Sequence, residues 1–582
     1  MTSRWRYRFV VGLIWIAVLA AALAGWFYAR ESGPAYGPVI LVSIESLRAD
    51  HLPVYGYQRV RTPAIDALAA DSVIFDRAYA HSPLTLPSNV SLLAGLLPFQ
   101  SGVRDDVGFP VPAGVQLLPQ WLHRRGFKTG GVVSSCLLRS STGLGAAFGF
   151  FDDGTGDAGT ADEAAPCARD GAKSLQVAEH WIESIGTSRF FLFLQIDEPA
   201  AATGAPGGSK RLSPYDARVA YADDLVGQLI AFLKKRGLYT GGILILTSDH
   251  GDGLGDHGEQ GHGLFLYEQA IRTPLIVKLP RRDGGGRHSD ALVEQIDIAP
   301  TVLDLVGAPR PSKIGGRTLR HVLDSLSAIL PDRQLYAESF APRFLFGWSE
   351  VTSLTTRRYR YINSARPELY DLAQDPRERV NLAASDPKTA EEMRAALEAL
   401  VRNTPVPVPA PTAEPDRERL AALGRVTGLP DAAPDVPGGQ LPDPKDLAPV
   451  ANRYFEAGRL AAQGRADEAI AAYRSVVGEA PLLAPGWDRL EALLVAGGRF
   501  AEAGDALTSL LGLYPEDGRA AEADRRLQAL LGPTPTAEQF AVAEAVWSSL
   551  GEKARAADVR SAGRKAVGDA PLRKAEAALR KR

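Results

Sequence analysis

The chain has 582 residues, more than one domain of roughly 100–200 residues can account for. Hydrophobic residues make up 45% and charged residues 23%, a globular composition that excludes wholesale disorder. The formal net charge is −3, so no global basic field is present to attract nucleic acid. Only two cysteines occur, Cys136 and Cys167, which excludes a disulfide-dense scaffold and a thiolate zinc cluster but leaves room for one bridge.

An uncharged apolar run near the N-terminus extends from Phe9 to Tyr28. Its length matches the roughly 20 residues with which a helix crosses a bilayer. Three arginines precede the run, and the positive-inside rule then places the N-terminus in the cytoplasm. We therefore expect residues 1–36 to be a cytoplasmic stub, a single-pass anchor in the cytoplasmic membrane and a spacer, with the rest of the chain on the extracytoplasmic (periplasmic) side. A cleaved signal peptide is the alternative, because the end of the run is rich in alanine.

Residues 37–402 have the pattern of an α/β sheet domain. Short, β-branched apolar runs begin at Val39 and Gly241, as expected for parallel strands that are covered on both faces. Between them, apolar residues recur at helical spacing from Arg218 to Arg236. Segments from Gln334 onward add further β character. This alternation predicts a sheet sandwiched by helices.

The C-terminal part of the chain differs in composition. Residues 403–447 are rich in proline and glycine, which predicts a linker. Residues 448–582 are rich in Ala, Leu and Arg, and two similar segments begin at Gly464 and Gly498, 34 residues apart. That period is typical of tetratricopeptide helix pairs. We expect an all-α, tetratricopeptide-like domain that could recruit a protein partner; a packed helical appendage without a ligand is the alternative.

Candidate metal ligands follow the two predicted strands. Glu45 comes after the first strand, and Asp249 and His250 come after the second. Ligand sites in open parallel sheets lie at the carboxyl ends of strands, so these side chains could converge. Thr85 stands at or just before a predicted helix N-terminus, where backbone N–H groups and the helix dipole favour an anion. Each residue alone also has an ordinary structural interpretation, as a cap or a chance pair.

Together these four residues form a mostly hard donor set. Two carboxylates, an imidazole and a hydroxyl suit one divalent metal ion, Ca²⁺, Mn²⁺, Mg²⁺ or Zn²⁺. A metal-bound threonine hydroxyl loses its proton more easily and becomes a nucleophile. The sequence therefore predicts metal ligands at Glu45, Thr85, Asp249 and His250, with Thr85 also catalytic.

Five segments occur in an order that is similar to one known family. They read VILVSIESLRADHLPVYGY, TLPSNVSLLAGLLP, TSDHGDGLGDHGEQGHGLFLYEQAIRTPLIV, EQIDIAPTVLDLVG and ELYDLAQDPRERVNL. Over about Pro38 to Val401 the chain thus resembles the sulfatase family of the alkaline phosphatase superfamily. The resemblance implies a mixed sheet flanked by helices, with a smaller C-terminal subdomain that starts near Gln334. Bacterial members often carry a C-terminal tetratricopeptide tail, which agrees with the 34-residue period.

The nucleophile position departs from the sulfatase pattern. Sulfatases resemble Cys-x-Pro-Ser-Arg there, and the Cys or Ser is oxidised to formylglycine; here Thr85 to Asn89 reads TLPSN. Threonine is not a formylglycine precursor, and a threonyl sulfate lacks the elimination route of the hydrated aldehyde. A threonyl phosphate can pass its phosphoryl group to water or another acceptor. With Glu45, Asp249 and His250, the set resembles the single-metal site of lipoteichoic acid synthases and phosphoethanolamine transferases.

Other positions also depart from the family pattern. Gln195, Glu198 and Ala200 stand where relatives carry a His-rich stretch, and Asn89 and Ser101 fall where relatives often have histidine. Losing one donor to a developing oxyanion typically costs on the order of 10²–10³ in rate. These losses favour reduced activity.

His262 and Arg104 are the remaining catalytic candidates. His262 could donate to an ester oxygen or protonate a leaving group, and the alternative is a loop histidine satisfied by the backbone. Arg104 could stabilise an oxyanion, and the alternative is a surface or salt-bridged arginine.

Two functions stay open at this point. The first is an exported, membrane-anchored, metal-dependent hydrolase or transferase that acts on sulfate or phosphate esters. The second is a catalytically impaired sulfatase-like binding or scaffold protein whose helical repeats recruit a partner. The retained candidate ligands favour the enzyme, whereas the lost histidines favour the scaffold.

Overall fold

The computed structural model describes residue 15 and residues 37–154, 168–197, 212–283, 285–325, 330–410, 441–514 and 516–581. The anchor expected over residues 9–28 lies outside these ranges except for Trp15. Across the described ranges, we find no helix whose length and apolarity would let it span a bilayer. Cys136 is disulfide-bonded, and the other cysteine of the chain, Cys167, lies outside the described residues.

The first domain is built on a mixed sheet. Its strands are β1 (Val39–Ile44), β2 (Val73–Tyr79), β3 (Lys128–Val133), β4 (Phe150–Asp152), β5 (Phe190–Ile196), β6 (Ile243–Ser248), β7 (Arg272–Lys278) and β8 (Arg287–Glu294). In the described part of the chain they are ordered β4-β3-β5-β1-β6-β7-β2-β8. β1 is central and pairs in parallel with β5 and β6, whereas β7 is antiparallel to β6 and β2. Every residue of β1 is buried, as expected for a strand covered on both faces.

Helices cover both faces of this sheet, as the sequence predicts. They are α1 (Pro63–Ala70), α2 (Thr85–Ala94), α3 (Pro98–Ser101), α4 (Leu118–His123), α5 (Gly171–Ser184), α6 (Pro214–Lys235), α7 (Glu268–Ile271), α8 (Ile298–Leu305), α9 (Arg320–Asp324), α10 (Ala341–Phe346) and α11 (Pro387–Val401). Apolar residues of α1, α5 and α6 pack with Ile40 on one face, and those of α2, α4 and α8 pack with Leu41 on the other. The helix predicted from Arg218 begins earlier, because Ser213 caps it and Pro214 fits its first turn.

A second, smaller sheet follows at the position expected near Gln334. It is antiparallel and consists of β9 (Leu335–Ser339), β10 (Val351–Thr355), β11 (Tyr359–Asn363) and β12 (Glu368–Asp371), in the order β12-β11-β10-β9. Met393 and Leu397 of α11 pack against Tyr336 and Leu369 of this sheet. The domain body thus ends with α11.

The C-terminal region is all-helical. Its helices are α12 (Pro444–Ala462), α13 (Ala466–Glu479), α14 (Ala484–Ala496), α15 (Phe500–Gly512), α16 (Glu516–Leu531), α17 (Ala537–Ser549), α18 (Lys553–Val567) and α19 (Asp569–Leu579). Gly464, Gly498 and Gly532 have positive φ angles of 75°, 68° and 61°, a conformation that favours glycine at tight turns between helices. The 34-residue spacing therefore extends one step beyond the two segments recognised in the sequence. The tetratricopeptide assignment itself stays a prediction.

The helical domain packs directly on the first domain. Phe346 of α10 meets Tyr454 of α12 edge-on, with ring centroids 5.5 Å apart. Arg366 forms an ion pair with Asp443 at 3.0 Å, next to the start of α12. Both contacts hold α12 beside the carboxyl edge of the main sheet, where the candidate site lies.

Candidate functional site

Three acidic residues leave the main sheet at the same edge. Ile44 of β1 is in register with Ile196 of β5 and Ser248 of β6. The residues that follow these three strand ends are Glu45, Asp197 and Asp249. Because the strands are parallel neighbours, their carboxyl ends place the three carboxylates close together.

Thr85 is the first residue of α2 and is fully buried. Its hydroxyl donates to Glu45 Oε1 at 3.1 Å, so the predicted nucleophile lies against a predicted metal ligand. The N–H of Leu86 donates to Asp106 Oδ1 at 2.8 Å. Asp106 thereby satisfies one of the N–H groups that the first turn of a helix leaves unpaired.

Gln195 orients Glu45 from the other side. Its Nε2 donates to Glu45 Oε2 at 2.9 Å, and its Oε1 accepts from the N–H groups of Ser134 and Ser135 at 2.9 and 3.0 Å. Gln195, which stands where relatives carry a His-rich stretch, therefore links the end of β1 to the segment after β3. Glu198 and Ala200 lie outside the described residues.

Asp249 organises the turn after β6. Its Oδ1 accepts from the N–H groups of Ser46 and His250 at 3.0 and 2.9 Å, and Asn89 Nδ2 lies 3.4 Å from its Oδ2. Ser46 has a φ of 56°, which is uncommon for a residue other than glycine and costs backbone strain. That conformation turns the Ser46 N–H toward Asp249.

His250 has one ring nitrogen engaged and one without a partner. Its Nδ1 lies 2.8 Å from the carbonyl oxygen of Gly251, and because a carbonyl only accepts, Nδ1 carries the proton. Nε2 is buried without a hydrogen-bond partner among the described residues, and it lies 3.6 Å from Asp249 Oδ2. In this tautomer Nε2 carries a lone pair with which it can ligate a metal. Gly251 is required here, since a Cβ would lie 1.9 Å from the carbonyl oxygen of Gln269.

The carboxylates at this edge disfavour one another's charge. Burial, then repulsion from Asp197, Asp249 and Asp106, raises the pKa of Glu45 well above its ordinary value. Burial and the neighbouring Asp249 raise the pKa of Asp197 to about 6, and burial also raises the pKa of Asp249. Bringing a cation between these groups would relieve both the repulsion and the cost of burial.

His262 lies next to this cluster. Its ring centroid is 4.4 Å from that of His250, and its Nδ1 lies 3.1 Å from the carbonyl oxygen of Pro83. A cavity of about 720 Å³ opens at this point, and Glu45, Asp197 and His262 are part of its lining. A ligand in the cavity would therefore reach both the acidic edge and an imidazole.

Arg104 is not part of this arrangement. Its Nε and Nη2 donate to the two carboxylate oxygens of Glu338 at 2.7 and 2.6 Å, and its guanidinium lies over the ring of Phe340. Glu338 is completely buried on β9, so it needs a buried counter-charge. The expectation that Arg104 stabilises an oxyanion is therefore replaced by a structural ion pair.

Two family models cover this part of the chain. The model described as sulfatase matches residues 38–308, and the model described as N-sulphoglucosamine sulphohydrolase, C-terminal, matches residues 255–404. Both models describe sulfatases, and together they match residues 38–404, which we call the sulfatase domain. The family resemblance and the fold expected from it are thereby confirmed for this domain.

Two relatives illustrate the similarity. Arylsulfatase K from Bos taurus is 31% identical over 198 residues, covering 32% of this chain and 36% of its own length. N-acetylglucosamine-6-O-sulfatase from Bacteroides thetaiotaomicron is 32% identical over 174 residues, covering 29% of this chain and 31% of its own length. The chain thus spans about a third of the length of these relatives.

A solved structure shares the fold of the sulfatase domain. It is a protein in complex with its substrate D-glucosamine-2-N,6-O-disulfate, and it superposes with a TM-score of 0.52 at 19% identity. The match covers 63% of this chain and 98% of that chain. At this identity the likeness concerns the fold.

The donor set of the sulfatase domain fits a divalent cation in chemistry, although its side chains are not arranged around one. In the described ranges, no group of three or more His, Cys, Asp or Glu side chains is placed so that it could hold a metal ion. The Thr85–Glu45 hydrogen bond occupies two of the predicted ligands. The unpartnered His250 Nε2 and the crowded carboxylates are nevertheless what a hard cation would satisfy.

Sequence reasoning missed Asp197 and Asp106 in the sulfatase domain. Asp197 was detectable in principle, because it follows a third apolar strand, β5, in the same way as Glu45 follows β1. Asp106 carried no such signal, since it reaches the site from a loop after α3. Both acids add to the negative charge that surrounds Glu45.

Proposed function

We propose that this chain is a metal-dependent hydrolase of sulfate esters, with Thr85 as the nucleophile in place of formylglycine. The observation that carries the proposal is the hydrogen bond of Thr85 to Glu45 beside a buried His250 whose Nε2 has no partner in the described residues. Membership of the sulfatase family supports sulfate esters as the substrate class. The sulfated sugars named for one curated relative and one solved structure support the same class.

In this reaction Thr85, Glu45 and His262 would each have a separate role. Thr85 Oγ1 attacks the sulfur, and its proton passes to Glu45 Oε1, which already accepts a hydrogen bond from this hydroxyl. The bond from sulfur to the ester oxygen breaks, and His262 supplies the proton that the leaving oxygen takes up. Water then attacks the sulfur of the threonyl sulfate and passes a proton to His262. The bond from sulfur to Thr85 Oγ1 breaks, Glu45 returns its proton to that oxygen, and sulfate leaves.

A divalent ion would be held by Glu45, Thr85, Asp249 and His250. When bound, it would neutralise charge on the ester oxygens and lower the pKa of the threonine hydroxyl. Ca²⁺, Mn²⁺, Mg²⁺ and Zn²⁺ all accept oxygen and imidazole ligands of this kind.

Phosphate esters are the second candidate substrates. Thr85 itself favours them, because a threonyl phosphate is resolved by direct transfer to water or another acceptor without the elimination step that formylglycine allows. The reaction would otherwise use the same side chains. An acceptor other than water would make the protein a transferase.

A binding or scaffold role is the remaining alternative. The ion pair of Arg104 with Glu338 favours it, since it leaves one cation fewer for a developing oxyanion. In that case the helical domain would carry the function by recruiting a protein partner.

We also propose an extracytoplasmic location with an N-terminal membrane anchor. The disulfide at Cys136 supports it, because structural disulfides persist in oxidising compartments. The uncharged run from Phe9 to Tyr28 is long enough for the anchor.

The experiment is a substrate panel combined with metal analysis of the purified full chain. Aryl sulfates, phosphomonoesters and phosphodiesters are assayed with each of the four metals, for the wild type and for Asp249→Asn. Asp223→Asn is the matched control, since Asp223 is also buried but caps α1. We expect bound metal and turnover of one ester class in the wild type and the control, and loss of both in Asp249→Asn. Inactivity of the wild type on the whole panel, with no bound metal, would overturn the enzyme in favour of the scaffold.

A further inference from the structure

One wall of the cavity at the sulfatase site comes from the helical domain. Besides Glu45, Asp197 and His262, the lining of this cavity includes the α12 residues Asn452, Arg453, Phe455, Glu456 and Arg459. A molecule that binds at the acidic edge of the sheet and fills this cavity would therefore contact α12.

This wall is fixed to the loop that carries His262. The loop, residues 253–262, is closed by a hydrogen bond from the Gly253 N–H to the Gly261 carbonyl oxygen at 2.7 Å. Asn452 bridges its outer turn, because Nδ2 donates to the Gly258 carbonyl oxygen at 2.7 Å and Oδ1 accepts from the Gln260 N–H at 3.1 Å. The position of α12 is thus coupled to the position of His262.

Two arginines, Arg453 and Arg459, line this wall together with the acidic Glu456. Arg453 is paired with Glu479, and Arg459 with Glu456, with 39% and 50% of the two arginine side chains exposed. Exposed ion pairs of this kind are weak, so an anionic ligand can compete for the guanidinium groups. Nε of Arg453 is buried and has no hydrogen-bond partner in the part of the chain that the structure describes.

The two sides of the cavity therefore suit two different parts of one molecule. Glu45 and Asp197 repel an anion unless a cation lies between, whereas Arg453 and Arg459 attract one directly. Phe455 adds an aromatic surface between the charged groups of the wall. A planar or saccharide ring that bears two anionic substituents matches this distribution.

We propose that α12 forms an outer substrate subsite, in which Arg453 and Arg459 bind a second anionic group on a substrate whose first group is the reacting ester. The assignment of the reacting ester rests on the function proposed above, but the outer substrate subsite is tested by binding alone. The substrate class is then a dianionic ester, such as a sugar or aryl ring that carries a further sulfate or carboxylate.

The test compares a ligand with one anionic group and a ligand with two by titration calorimetry on the full chain, with excess Mn²⁺ present so that Glu45 and Asp197 do not repel the first anionic group. Naphthalene-1-sulfonate and naphthalene-1,5-disulfonate are the probes. Hydrogen bonds between charged groups are stronger than those between neutral groups, so we expect the disulfonate to bind at least roughly tenfold more tightly to the wild type. In the double variant Arg453→Gln, Arg459→Gln, the affinity for the disulfonate should fall to that for the monosulfonate.

Arg474→Gln is the matched control, because Arg474 is a half-exposed arginine of α13 that pairs with Glu502 and does not line the cavity. We expect this control to keep the wild-type preference. A wild type that does not bind the disulfonate more tightly, or a double variant that keeps the preference, would overturn the subsite.

The substrate panel separates the two proposals. Turnover together with an unchanged preference in the double variant would reject the subsite and leave the hydrolase standing. No turnover on any ester, together with a preference that depends on the two arginines, would reject the hydrolase and support the subsite.

Discussion

One buried histidine, His81, determines part of the pH response of the sulfatase domain. His81 is completely buried, its Nδ1 donates to the Tyr336 carbonyl oxygen at 2.6 Å, and its Nε2 has no hydrogen-bond partner in the described residues. Burial lowers the pKa of this imidazole to about 4. The folded protein therefore holds His81 neutral at a pH where the unfolded chain would protonate it, since the ordinary value is about 6.5.

This difference predicts that stability falls as the pH is lowered from about 6.5 to about 4. In that window the unfolded state binds one more proton at His81, so the free energy of unfolding declines by about 1.4 kcal/mol per pH unit from this residue. His81→Asn keeps a donor near the Nδ1 position and removes the titration. Chemical denaturation across the window should show a shallower slope for His81→Asn than for the wild type.

The control for this prediction is His288→Asn, because His288 is exposed and pairs with Asp76 at the surface. We expect it to keep the wild-type slope. Equal slopes for the wild type and His81→Asn would contradict the account of His81.

At the residue scale, the sequence predicted part of the site. Glu45, Asp249 and His250 were predictable because each follows a short apolar strand, and the carboxyl ends of parallel strands meet. The partner of Arg104 was not predictable. Glu338 lies 234 positions away on a strand of another sheet, and its burial becomes visible only once both sheets are packed.

Among the elements, β11 joins the small sheet to the main domain through one arginine. Arg360 is fully buried, and it donates to Glu378 at 2.8 Å and to Glu268 of α7 at 2.9 Å. Replacing Arg360 by methionine would leave these carboxylates without their cation, a change that typically costs about 3–5 kcal/mol. Urea denaturation of Arg360→Met should show a loss of that size.

Arg357→Met is the comparison, since Arg357 forms an exposed pair with Asp290. Its loss should change the free energy of unfolding by no more than about 1 kcal/mol. A loss of similar size in both variants would contradict the role of Arg360.

The sequence predicted where strands and helices lie better than it predicted where they end or how they pack on one another. The strands at Val39 and Gly241 were evident from apolar runs, and the turns at Gly464 and Gly498 from their spacing. α6 begins earlier than predicted because Ser213 caps it, and the spacing of apolar residues does not indicate where a cap lies. The contact of Asn452 with the loop of His262 joins residues more than 190 positions apart, and no local pattern encodes it.

Across the whole molecule, one buried apolar cluster links the sulfatase domain to the helical domain. It includes Tyr267 and Phe346 from the first domain and Tyr454, Leu507 and Trp547 from the second. A shared core of this kind couples the unfolding of its parts. We therefore expect a single cooperative transition for the full chain in calorimetry.

Tyr454→Ala tests this coupling. The residue is completely buried between the domains, and removing a large buried aromatic side chain typically costs about 3–5 kcal/mol. We expect the transition to divide into two. Tyr361→Ala removes an equally buried tyrosine within the small sheet and should lower the transition temperature without dividing it. Two independent transitions in the wild type would contradict the shared core.

The most direct test of the proposed chemistry is turnover by Thr85→Val beside Ser88→Ala. Valine keeps the shape of Thr85 and removes the hydroxyl that lies 3.1 Å from Glu45. Ser88 is an equally buried hydroxyl on the same helix, but it donates to the Ser82 carbonyl oxygen. With the ester that the wild type hydrolyses, Thr85→Val should lose at least on the order of a thousandfold in kcat, while Ser88→Ala keeps most activity. Turnover by Thr85→Val at the wild-type rate would contradict Thr85 as the nucleophile.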